Sequence, residues 1–134
     1  MCTEKAGENA TKNLPDNALF LCFGGMSNTG MLTAKAGIAV LERLGEKRVG
    51  IFCLSSLPVG VEMVLEKMSK VKNIVVVDGC EHECATKLVR GAGFTPHVVI
   101  NVARDLDVKK VPSPSAHTDE DVKRLAQMIE DVLV

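Results

Sequence analysis

Short apolar segments alternate with helix-like segments along this chain, and this alternation limits the possible folds more than any other feature. Four strand-sized runs rich in Val, Ile, Leu and Phe cover residues 18–22, 49–53, 74–78 and 97–102. Their nearly continuous hydrophobicity is typical of parallel strands covered on both faces. Helical spacing of apolar residues follows each of them, over residues 30–44, 59–68, 81–90 and 118–133.

This alternation predicts an α/β fold, a single Rossmann-like three-layer domain with helices on both faces of an open, mostly parallel four-stranded sheet. We expect the strand order 2-1-3-4, which is common in this architecture. Residues 1–17 are polar, mixed in charge and broken by Pro15. They predict a loosely ordered N-terminal lead before an α/β domain that spans residues 18–134.

Composition argues against several classes of partner. The formal net charge is −1 and the chain has no Trp or Tyr, so we expect no nucleic-acid partner. The apolar runs are too short to cross a membrane, and the first residues lack the apolar stretch of a secretory signal. We therefore expect a cytoplasmic protein, in which clustered cysteines indicate metal binding or thiol chemistry before disulfides.

Four of the five cysteines are predicted to meet at one place. Cys22 and Cys53 end the first two strands, Cys80 follows the third, and Cys84 lies four residues later on a helix. Parallel strands share a carboxyl edge, so the four thiols converge there. Four thiolates are the usual shell of a structural zinc site, and they could also hold an iron–sulfur cluster.

Two further interpretations of the cysteines stay open. Cys80 and Cys84 could serve a thiol-based redox or sulfur-transfer enzyme, because a helix N-terminus favours the thiolate. Each cysteine also fits an inert, buried position. Because a four-thiolate shell is closed and no general base is well placed, we predict a metal-binding protein without enzymatic activity.

A glycine-rich loop over residues 23–30 precedes the first predicted helix. It lacks the lysine of a phosphate-binding P-loop and the spacing of a dinucleotide fingerprint. Its candidate residues could cradle an anion with backbone amides or orient the cysteine site; they are Gly24, Gly25, Ser27 and Asn28. We expect Asp78 to cap the following helix, and Gly79 to adopt a backbone conformation that other residues avoid.

The three histidines and one carboxylate receive weaker assignments. His82 is expected to point away from the cysteines, and His97 lies at the opposite edge of the sheet in a structural role. His117 and Asp105 follow the fourth strand and could approach the site.

The motif Asp78-Gly79-Cys80-x-x-x-Cys84-Ala85 resembles the DGC-domain family of proposed zinc-binding proteins. The upstream loop, Cys22-x-Gly24-Gly25-x-Ser27-Asn28, extends the resemblance, which covers about residues 21–110. It implies zinc ligation by Cys22, Cys53, Cys80 and Cys84. The chain departs from the family where it has Glu81 in place of a frequent proline, and Gly25 in place of an occasional second cysteine.

Overall fold

The structure, a computed structural model, describes residues 14–134 and confirms the predicted sheet. Four parallel strands lie in the order β2-β1-β3-β4. They are β1 (Asn17–Leu21), β2 (Val49–Ile51), β3 (Asn73–Asp78) and β4 (Val98–Asn101). Of the predicted N-terminal lead, residues 1–13 lie outside the described residues. Pro15 is buried and Asn17 opens β1, so the folded domain includes the end of that segment.

Six helices connect and cover the strands in the described part of the chain. They are α1 (Asn28–Leu44), α2 (Ser56–Val59), α3 (Glu62–Lys70), α4 (Cys84–Gly91), α5 (Val102–Asp105) and α6 (Asp119–Asp131). Thr118 caps α6 and forms a capping box with Asp121. None of the described helices is long and apolar enough to cross a membrane.

Two predicted helices have different bounds in the structure. The helix predicted over residues 59–68 is two helices, because Gly60 takes a left-handed conformation (φ 78°) and ends α2. The helix predicted from residue 81 begins at Cys84, because Glu83 has a positive φ of 51°. Cys80 therefore lies in a turn before α4 and not on the helix itself.

Both faces of the sheet are buried, which explains the continuous apolar runs. On β1, Leu19 and Leu21 face the cluster that includes buried residues of α1 and α6. Ala18 and Phe20 face the opposite cluster, which includes residues of α2, α3 and α4. The alternation of side chains along the strand thus places one core on each face and produces the three layers.

A buried amide network closes the amino edge of the sheet. The side-chain amide of Asn17 donates to the Arg48 carbonyl at 2.9 Å and to the Val134 carbonyl at 3.1 Å. Its oxygen accepts from the Asn73 side chain and from the Val134 amide, both at 2.9 Å. One side chain therefore joins the first strand, the third strand and the residues after α6.

We predict that Asn17→Ala lowers the free energy of unfolding by about 2–3 kcal/mol, because it leaves several buried polar groups without partners. Urea unfolding followed by circular dichroism measures the change. Gln127→Ala is the control, since Gln127 bonds only to Asp131 on an exposed helix face. Equal stability of the two variants would contradict this account of the amino edge.

Candidate metal site at the carboxyl edge of the sheet

Three of the predicted ligands line one cleft of about 540 Å³ at the carboxyl edge of the sheet. Cys22 follows β1, and its amide donates to the Val77 carbonyl of β3 at 2.9 Å. Cys80 follows β3, and Cys84 is the first residue of α4. The parallel alignment of β1 and β3 therefore brings these thiols to the same end of the sheet.

Cys53 lies elsewhere. It lines a separate cleft of about 570 Å³, and its sulfur is 3.1 Å from the Ser55 hydroxyl. β2 is shorter than predicted and ends at Ile51, and the ring of Phe52 packs edge-on against Phe20. The chain then turns into α2, which exposes Cys53 to solvent.

Within residues 14–134, no three His, Cys, Asp or Glu side chains are arranged to hold a metal ion as they stand. The four-cysteine ligand set therefore stays a prediction. The structure brings Cys22, Cys80 and Cys84 to one cleft, and metal binding there requires their side chains to rotate toward a common point.

Asp78 caps α4, as the sequence predicts. Its carboxylate is fully buried and accepts from the Ala85 amide at 2.8 Å and from the Thr86 amide at 3.3 Å. The Thr86 hydroxyl donates to the same carboxylate. These bonds satisfy N–H groups at the start of α4 that have no partner within the helix, and they fix where Cys84 stands.

Gly79 has a different role from the one predicted. The described glycines with positive φ are Gly45, Gly60 and Gly93, so the expectation of a special conformation at Gly79 is wrong. A Cβ atom at Gly79 would instead lie 3.2 Å from the Thr29 hydroxyl and 3.3 Å from the Gly30 amide nitrogen. The glycine allows the turn before Cys80 to pass close to the start of α1.

Burial raises the pKa of the Cys22 thiol, and the nearby negative charge of Asp78 adds to the effect. The backbone amide of Ala85, which donates to Asp78 at 2.8 Å, opposes this shift. Cys53 behaves in the opposite way, since a hydrogen bond from the Ser55 side chain and others from backbone amides lower its pKa. The half-buried thiol therefore favours the protonated form, and the exposed one loses its proton more easily.

The structure adds two residues that the sequence analysis did not select, Lys110 and Asn101. The Lys110 ammonium nitrogen lies 3.5 Å from the Cys80 sulfur. The Asn101 side chain donates to the Cys80 carbonyl at 2.9 Å and so holds the turn in place. Asn101 ends β4 at the same edge of the sheet as the cysteines, and that position was the only available signal for it.

The glycine-rich loop is organised by the two residues at the start of α1. Ser27 is the N-cap and accepts from the Gly30 amide at 3.1 Å. The Asn28 side chain donates to the carbonyls of Lys109 and Ala116 at 2.9 and 3.1 Å, and accepts from the Val111 amide at 2.9 Å. Asn28 therefore attaches the loop after β4 to the cleft.

The glycines of this loop differ in their importance. A Cβ at Gly30 would lie 2.5 Å from the Gly24 carbonyl oxygen, so the loop folds tightly over that position. A Cβ at Gly24 or Gly25 would meet no atom within 4 Å. Of the three, only Gly30 is required for packing.

The three histidines and Asp105 make different contacts in the structure. His82 is among the residues that line the cysteine cleft, and the direction of its side chain stays a prediction. His97 is structural, as predicted, because its ring accepts from the Ile74 amide at 2.9 Å. His117 lies 2.9 Å from the Lys35 ammonium, and Asp105 accepts from the Asn101 amide at 2.8 Å. Neither His117 nor Asp105 is among the residues that line the cysteine cleft.

The fold and the site together define the class of protein. It is an α/β domain with free thiols at the carboxyl edge of a parallel sheet. The DGC-domain family model matches residues 18–129. The chain belongs to the DGC-domain family. A search of curated proteins finds no match, and a search of solved structures finds none either.

We predict that Asp78→Ala lowers the free energy of unfolding by about 2–3 kcal/mol, because it removes the cap of α4 and leaves buried amides unpaired. Thermal and urea unfolding measure the loss. Asp16→Ala is the matched control, since the Asp16 carboxylate forms a surface ion pair with Lys72 at 3.1 Å. Such a pair contributes about 0–1 kcal/mol. If both variants lose the same stability, the cap is not the dominant contact.

The opposite pKa shifts predict different rates of thiol alkylation. In reduced, metal-free protein at pH 7.5, iodoacetamide should modify Cys53 faster than Cys22, because more of the Cys53 thiol is ionised and exposed. Peptide mass spectrometry of timed samples measures both rates. Ser55→Ala should slow Cys53 alone, and full unfolding in urea should bring the two rates together. Equal rates in the folded protein would contradict the assignment.

Proposed function

We propose that this protein binds a thiophilic metal ion, zinc, through Cys22, Cys80 and Cys84. The observation that carries the proposal is that these three thiols line one cleft. Thiolate sulfur is a preferred ligand of zinc, and three of them supply most of a tetrahedral shell. The DGC-domain match over residues 18–129 agrees with the resemblance noted in the sequence, which implies zinc ligation by these cysteines.

The three thiols fit zinc, and a fourth ligand would complete the tetrahedral shell. His82 lines the same cleft, and an imidazole nitrogen would complete a Cys₃His shell. Cys53 is the fourth ligand implied by the sequence, although it lines a different cleft. When bound, the metal would cross-link the ends of β1 and β3 to α4, in a structural or sensory role. We also propose a cytoplasmic location, where thiols stay reduced and available to a metal ion.

We expect about one zinc per chain in protein purified without a metal-affinity tag, with no visible absorption. Cys80→Ser should lose the metal and should also lower the melting temperature of the loaded protein, because metal binding stabilises the fold to which it is coupled. Elemental analysis and calorimetry measure both effects. Protein that binds no zinc, even when supplied with it under reducing conditions, would overturn the proposal.

The fourth ligand is assigned by two variants, Cys53→Ser and His82→Gln. A ligand variant should weaken zinc binding measured against a competing chelator by about tenfold or more, whereas the other variant should leave it unchanged. Cys2→Ser serves as the control thiol. An iron–sulfur cluster, which the same thiolates could hold, would show instead as brown, iron-containing protein after anaerobic purification.

A second candidate function is thiol-based redox or sulfur-transfer chemistry at Cys80 and Cys84. The observation that favours it is the Lys110 ammonium 3.5 Å from the Cys80 sulfur, together with the exposure of Cys84. Positive charge beside a sulfur is typical of reactive cysteines. Metal-free protein that readily forms a Cys80–Cys84 disulfide under mild oxidation would favour this function over zinc binding.

A further inference from the structure

The cysteine cleft contains polar groups that neither metal binding nor the packing of the fold accounts for. Thr29 lines the cleft and is only 1% exposed, yet its hydroxyl has no hydrogen-bond partner. Burying a hydroxyl without a partner costs about 1–3 kcal/mol. Such a group in the wall of a cleft is suited to a ligand that supplies the missing acceptor.

The backbone amide of the same residue also lacks a partner in the described part of the chain. The Asn28 amide donates to the Val111 carbonyl, and the Met31 amide donates to the Ser27 carbonyl. The Gly30 amide donates to the Ser27 hydroxyl. The Thr29 amide donates no hydrogen bond to any group among residues 14–134. It lies in the first turn of α1, a 17-residue helix with no acidic residue in that turn. The helix dipole therefore adds uncompensated positive potential beside two unpaired donors.

The charged side chains that line the cleft also favour a negatively charged ligand. Lys110 lines it, whereas no Asp or Glu is among the described residues that do. The Lys110 segment is fixed next to α1, because the Val111 amide and carbonyl both bond to Asn28 at 2.9 and 3.3 Å. The unpaired donors and the ammonium thus belong to one wall of the cleft, and the ammonium also reaches Cys80.

We propose that this wall is an oxyanion subsite. The amide and hydroxyl of Thr29 and the ammonium of Lys110 bind the carboxylate, phosphate or sulfate group of a small ligand beside Cys80. The cleft volume of about 540 Å³ is in the usual range for small-molecule sites. The subsite goes beyond metal binding and requires no metal.

Titration of ¹⁵N-labelled protein, as purified, with sodium sulfate at constant ionic strength tests the subsite. We expect saturable shifts of the Thr29 and Gly30 amide signals. Lys110→Met should weaken sulfate binding about tenfold, the usual loss for a charge-assisted hydrogen bond. Lys109→Met is the matched control and should leave the affinity unchanged. Acetate in a second titration distinguishes a carboxylate ligand from a tetrahedral oxyanion, and saturable binding of either supports the subsite.

Thr29→Val separates anion binding from folding, because the two effects should have opposite directions. Removing an unpaired buried hydroxyl should leave the unfolding midpoint unchanged or raise it, whereas sulfate affinity should fall severalfold. The proposal is overturned if neither anion gives saturable shifts. It is also overturned if Lys109→Met weakens binding as much as Lys110→Met, since general surface charge would then explain the effect.

Discussion

The buried carboxylate of Asp78 holds the carboxyl edge of the sheet together. Asp78 is the last residue of β3, and its carboxylate accepts from the amides of Ala85 and Thr86. One charged group therefore joins the sheet to α4. A buried carboxylate is costly unless its oxygens are hydrogen-bonded, and here the helix N-terminus supplies the donors. The same contact sets the distance between Cys80, in the turn, and Cys84, at the start of the helix. The negative charge of Asp78 also helps to raise the pKa of the Cys22 thiol, after burial.

The chemistry of the cleft follows from how its two walls are built. One wall carries thiols at the ends of neighbouring strands and suits a soft cation. The other carries an ammonium and the unpaired donors of Thr29 and suits an anion. The two preferences are compatible, because a bound cation and a bound anion would attract each other. The proposed metal site and the proposed oxyanion subsite use different donor atoms, and they meet where the Lys110 ammonium lies 3.5 Å from the Cys80 sulfur.

Much of the architecture could be predicted from the sequence, because the order of strands and helices and the two-sided burial of β1 leave few alternatives. The position of Cys53 could not be predicted. Phe52 continues the apolar run of β2, but its ring packs against Phe20 and the strand has already ended. The role of Gly79 was also hidden, since it depends on how close α1 approaches and not on the local backbone. Lys110 and Asn101 were not selected from the sequence, because only the folded chain shows that both contact Cys80.

The bonds of Asn28 join positions that are distant along the chain. Its side chain contacts residues 81 to 88 positions later, and these contacts attach the loop that carries Lys110. On the ribosome, Cys22 and Cys53 emerge well before that loop exists. Cys22 is consequently exposed before the part of the cleft that carries Lys110 has been synthesised. The finished cleft is a late product of synthesis, because a chain interrupted before Lys109 carries Cys22, Cys80 and Cys84 without the segment that bears Lys110.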